Sequence, residues 1–204
     1  MNRKRMSIII SIIVISLLII IFSFFYYKTI KNGNTMINKS EEEIIEYILN
    51  MRSYEAKMNI TVETNKNKTN YVVVQSANDK ISRQEIIEPK NIAGVITEYD
   101  GINLKITNNK LDLSTTFKNY EYMVENRLWL NSFIEEYKNN KETKSSIDEN
   151  DEIVLEIKNK DDKYNVYKKL YISKQTSKPT KLIIQDINQN TLVYILYTEI
   201  EISE

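Results

Sequence analysis

Apolar and polar positions along this chain follow three rhythms, and each predicts a different element. From Ile8 to Tyr27 the residues are Ile, Val, Leu, Phe, Ser and Tyr, with no charge, Gly or Pro. About 20 such residues in a helix cross ~30 Å of hydrocarbon. A run that is apolar on every face does not suit a helix lying on a protein core. It exceeds the apolar region of a cleaved signal peptide, and no pair of small residues follows it. The expectation is an uncleaved transmembrane anchor within residues 1–28. Arg3, Lys4 and Arg5 precede the run, against Lys28 and Lys31 after it. That bias predicts a cytoplasmic N-terminus and an external body. Residues 29–39 read as a polar spacer with turn residues at Asn32, Gly33 and Asn34.

The second rhythm is helical. Ser40 with Glu43 three residues on forms a capping box, and three acids in the first turn suit the positive end of the helix dipole. Ile44, Ile45, Ile48 and Leu49 then recur at helical spacing, with an end expected near Met51. The same spacing returns over Glu121 to Lys138, where Val124, Leu128, Trp129, Phe133, Ile134 and Tyr137 predict a second helix.

The third rhythm is strict alternation. Tyr54, Ala56, Met58, Ile60 and Val62 alternate with polar residues, the mark of a strand buried on one face. Further strands are expected at Tyr71–Gln75, at Ile81–Glu88 before Pro89, and at Val95–Tyr99. Asp100-Gly101 is a hairpin signal. Ile102, Leu104 and Ile106 continue the alternation, and Leu111 and Leu113 resume it after Asn108-Asn109. Asn139 to Asp151 reads as a mobile polar connection. Strands then resume at Ile153–Ile157, Val166–Ile172, Leu182–Gln185 and Leu192–Ile202, with a turn at Ser177-Lys178-Pro179. Nine to ten strands and two helices predict an α+β domain over residues 40–204. Its antiparallel sheet is expected to curve around the helices, the only cover available for an apolar face. The strands at Tyr71–Gln75 and Leu192–Ile202 lack Pro and serve as candidate edges for pairing with a second chain.

Composition narrows the chemistry. Of 28 basic residues four fall in residues 1–28, leaving 24 against 28 acidic ones, so the external part is near −4. That balance argues against nucleic acid or anionic lipid headgroups as main partners. With no His and no Cys, Ser-His and Cys-His nucleophiles, His- or Cys-ligated zinc and disulfides are excluded. Three Gly build neither a P-loop nor a dinucleotide fingerprint. No catalytic residue, metal ligand or cofactor is predicted. Glu41 to Glu43 serve the helix start, and Asp148 to Glu152 lack the Gly that a calcium loop needs for its sharp turn.

The order of a helix, a meander with IAG and YDG turns, a central helix and a final LYISKQTSKPTKLIIQD–LVYILYTEIEI hairpin resembles the lipoprotein-carrier (LolA/LolB-like) superfamily. Within it, YILNMRSYEAKMNITV, EPKNIAGVITEYDGINLKI and NYEYMVENRLWLNSFIEEYK are most similar to the clostridial germination lipoproteins called GerS. The resemblance implies a curved half-barrel with helices in its concave face. It further implies a non-catalytic protein that docks and activates a zinc-dependent N-acetylmuramoyl-L-alanine amidase of the spore cortex. GerS is tethered by a lipidated Cys; here the apolar run would stand in for it, on the cell membrane or in the forespore intermembrane space. The alternative implied by the superfamily is a lipid or lipoprotein carrier. For either reading the concave-face candidates are Met58, Ile60, Leu104, Leu128, Trp129 and Phe133, which are equally suited to filling the space between sheet and helices.

Overall fold

The computed structural model describes residues 39–64, 66–120, 128–159 and 166–203. The predicted anchor and spacer, and Val124 of the predicted second helix, lie outside the described residues. Among the described residues no helix is long and apolar enough to cross a membrane.

Helix α1 spans Glu41–Leu49. The Ser40 hydroxyl accepts from the Glu43 N–H at 3.2 Å and the Glu43 carboxylate accepts from the Ser40 N–H at 2.7 Å, so the capping box closes. Ile44 and Ile48 are buried and the helix ends at Leu49, capped by Asn50, two residues before the expected stop near Met51.

Among the described residues eleven strands follow: β1 (Ser53–Glu63), β2 (Lys68–Ala77), β3 (Ser82–Glu88), β4 (Val95–Tyr99), β5 (Leu104–Asn108), β6 (Leu113–Phe117), β7 (Thr143–Ile147), β8 (Glu152–Lys158), β9 (Tyr167–Ser173), β10 (Lys178–Gln185) and β11 (Thr191–Ser203). Helix α2 (Leu130–Asn139) separates β6 from β7. All pairings are antiparallel and all strands join one sheet in the order β6-β5-β4-β3-β2-β1-β11-β10-β9-β8-β7. The sheet is open, and its curvature follows from twist accumulated over so many strands.

Register explains where the core sits. Ile60 faces Ile195, Ile195 faces Leu182, Leu182 faces Leu170 and Leu170 faces Leu155. One row of five aliphatic side chains thus crosses β1, β11, β10, β9 and β8, each no more than 2% exposed. Ile44 and Ile48 of α1 and Leu130, Phe133 and Ile134 of α2 join the same buried cluster. Both helices therefore cover the apolar half of one sheet face, the arrangement that a one-sided sheet requires.

Several elements differ from expectation. Strand β7 lies inside the stretch read as a connection. Its TKSSI sequence is exposed and carries no apolar alternation, because it is an edge with nothing to bury. Helix α2 begins at Leu130, with Trp129 as its N-cap rather than an interior residue. Lys178 and Pro179 belong to β10, not to the preceding turn, which is closed by Ser177 at φ 55°. Ile102 and Leu111 sit in turns, 59% and 64% exposed. At the first of these turns Asp100 accepts from the N–H groups of Ile102 and Asn103, so side-chain bonding sets a four-residue loop between Tyr99 and Leu104. Strands β2 and β11 are interior, so neither offers a full edge; the edges are β6 and β7.

Candidate functional site

The sheet face beneath the helices is apolar on one half and polar on the other. Beyond β1 the row through Ala56 continues as Gln75, Gln84, Thr97, Ile106 and Thr115. Gln75, Ser82 and Gln84 are buried on β2 and β3. They are held by hydrogen bonds rather than by packing alone. The Tyr54 hydroxyl donates to Gln75 Oε1 at 2.5 Å, and Gln75 Nε2 donates to Gln84 Oε1 at 2.9 Å and to the Leu128 carbonyl at 3.4 Å. Asn131 Nδ2 approaches Ser82 Oγ at 3.5 Å. These contacts tie the chain around Leu128 and the start of α2 to the polar half of the sheet.

Helix α2 has no side-chain cap at Trp129. The Tyr54 hydroxyl compensates, because it meets the backbone of Leu130 and Asn131 in the first turn. Burial pushes this hydroxyl well above the usual tyrosine range and the neighbouring Tyr197 adds to the rise, while the helix backbone pulls it partly back. Burial also raises Tyr197, whose hydroxyl has no hydrogen-bond partner among the described residues. A folded-state pKa raised above the unfolded value near 10 contributes stability that is present below pH ~10 and lost as pH climbs through the folded value. Thermal midpoints are therefore expected to be insensitive to these two groups between roughly pH 7 and 9 and to fall above about pH 10. Tyr197→Phe should flatten that alkaline fall; an unchanged slope would contradict the assignment.

The six concave-face candidates do not converge on one spot. Met58, Ile60 and Phe133 belong to the main buried cluster, and Leu128 packs against it half-buried. Leu104 and Trp129 are buried outside that cluster. Five of the six are no more than 4% exposed. The polar half of the same face was missed from the sequence. Its signal is Gln75 and Gln84 at inward positions of their strands, where alternation alone would place an apolar residue.

The outer side carries a groove of about 630 Å³ that sequence reasoning also missed. Two β-bulges meet there. Thr198 of β11 is the extra residue opposite Lys57 and Met58, and Thr180 of β10 is the extra residue opposite Tyr171 and Ile172. The β10–β11 ladder stops at Lys181–Leu196, next to Pro179, which has no N–H to donate. Glu55, Lys57, Lys178, Thr198, Glu199 and Glu201 are among its lining residues. Lys178 reaches Glu201 at 3.0 Å and Lys57 reaches Glu199 at 3.8 Å. The parting of the two strands opens the groove between Lys178–Thr180 and Thr198–Glu201. Among the described residues no group of three or more acidic side chains could hold a metal ion.

The family described as "Sporulation protein YdcC-like" matches residues 8–204. No curated protein matches the chain. Among solved structures, the CwlD amidase from Clostridioides difficile in complex with the GerS lipoprotein contains a chain 26% identical. The match covers 80% of this chain and 96% of that one, with a TM-score of 0.52. An uncharacterized conserved protein from Thermus thermophilus is 11% identical over 81% of this chain and 89% of its own, at a TM-score of 0.51, and shares the fold. A LolA superfamily protein, NE2245 from Nitrosomonas europaea, is 11% identical over 81% and 94%, at a TM-score of 0.41.

Proposed function

This chain belongs to the YdcC-like sporulation protein family, and from that membership we propose that it is a non-catalytic binding protein which docks and activates a cell-wall N-acetylmuramoyl-L-alanine amidase during sporulation or germination. The observation that carries this reading is the likeness to the complex of an amidase with GerS, which spans nearly the whole of the matched chain. Composition supports it, since the chain has no His or Cys with which to assemble the common nucleophilic or zinc sites. Packing supports it as well. Five of the six concave-face candidates are buried and the sixth, Leu128, is half-buried against the core, so a partner is met on the outside.

In this reading residues 1–28 hold the protein in the cell membrane with its N-terminus in the cytoplasm. Residues 29–39 set the spacing, and residues 40–204 present the binding surface to the enzyme outside, in the forespore intermembrane space if the amidase is a cortex enzyme. The test is recovery of the tagged full-length chain from detergent-solubilised membranes of sporulating cells. An amidase is expected to come down with it; recovery of the chain alone at native expression level would count against the proposal.

A further inference from the structure

Helix α1 carries a wider apolar stripe than the core uses. Ile44 and Ile48 are buried, whereas Ile45 and Leu49, one turn apart, are only half-buried. These two line a groove of about 380 Å³ together with Glu42, Glu46 and Asn50 of α1 and Lys138 of α2. Among the described residues neither Glu42 nor Glu46 forms an ion pair, and Lys138 pairs within its own helix with Glu135 at 3.4 Å. The place of Glu46 is informative. It lies in the last turn of α1, which holds no basic residue, so its carboxylate meets the negative end of the helix dipole. A charge that costs stability where it stands, and finds no counter-ion within the chain, is left for something outside it.

We propose that this groove between α1 and α2 is where the chain holds its amidase, by receiving an apolar side chain from a basic amphipathic helix of the enzyme. This rests on the binding role proposed above and adds the surface and the chemistry of the segment that meets it. Charge selects this occupant over the others. Helix α1 contains four Glu and no Lys or Arg, so packing it on α1 of a second copy would bring like charges together. An anionic lipid would set its head against Glu42 and Glu46. The Glu42 carboxyl is held below the usual range by its own backbone N–H and by Ser40, which keeps it charged. Lys or Arg on the incoming helix meets both carboxylates favourably, while its apolar side chain covers Ile45 and Leu49.

The test is binding of the full-length chain, in mild detergent, to the purified N-acetylmuramoyl-L-alanine amidase of the same sporulating cells, read by biolayer interferometry. Leu49→Ala and Glu46→Lys are each expected to raise Kd about tenfold, through lost apolar burial and through a reversed charge. Glu201→Lys makes the same charge change at the groove beside β11 and is expected to shift Kd less than about twofold. Relief of the dipole clash should give Glu46→Lys a thermal midpoint no lower than that of the unsubstituted chain, so its loss of binding is not a loss of fold. Unchanged affinity in Leu49→Ala and Glu46→Lys, or equal weakening by Glu201→Lys, would overturn the groove as the docking site and leave the binding role standing. Absence of binding by the unsubstituted chain would overturn that role and this site with it. Self-association of the chain, or retention of lipid, that is lost in Leu49→Ala while amidase binding persists would assign the groove to another occupant and overturn the proposal as well.

Discussion

Trp129→Ala is expected to remove about 3–5 kcal/mol of folding stability, the range for deleting a large buried aromatic. Trp129 is the only tryptophan, is fully buried, and occupies the N-cap position of α2. It stands where the chain passes from Leu128, whose carbonyl meets Gln75 of the polar half, into the helix that covers the apolar half. A domain of this size is stable by roughly 5–15 kcal/mol, so the change consumes a large part of the margin. Urea unfolding followed by far-UV circular dichroism reads the shift, and Trp129→Phe should cost clearly less. A loss below about 1 kcal/mol for the alanine change would mean that the ring is not packed as described.

Gln75→Ala is expected to cost about 2–6 kcal/mol, through desolvated polar groups more than through lost volume. Gln75 is fully buried and serves both Tyr54 and Gln84. Its removal leaves the Tyr54 hydroxyl proton and the Gln84 carbonyl without their partners, at about 1–3 kcal/mol each. The diagnostic is non-additivity. Once Gln75 is alanine, Tyr54→Phe should cost less than it does in the native background, because the orphaned donor is already a liability. Additive losses would show that the two side chains do not act as a unit.

These two sites mark the limit of what the sequence makes legible. Helix α1 and strand β1 are legible because one pattern fixes each of them. Ser40 and Glu43 close a cap, and the alternation of Tyr54, Ala56, Met58 and Ile60 survives as burial. The family resemblance and the single antiparallel sheet are likewise carried by turns and packing positions spread over the chain. Strand β7 is illegible for a physical reason: an exposed edge strand buries nothing, so its residues carry no period. Pro179 misleads because Pro ordinarily ends a strand, whereas here it occupies the side of β10 where the ladder has already opened. The choice of edges was legible only in part: β2 is interior through its sequence neighbours β1 and β3, whereas β11 is interior through its pairing with β1, distant in sequence. The buried glutamines were missed because their partners, Tyr54 and the Leu128 carbonyl, lie 21 and 53 residues from Gln75.

The most direct measurement is peptidoglycan hydrolysis by the proposed amidase partner, purified and assayed alone, with the full-length chain added, and against the chain by itself. A binding and activating role predicts no release of stem peptides by the chain alone and a rate in the mixture well above that of the amidase alone. Hydrolysis by the chain unaided, or a mixture no faster than the amidase, would contradict it.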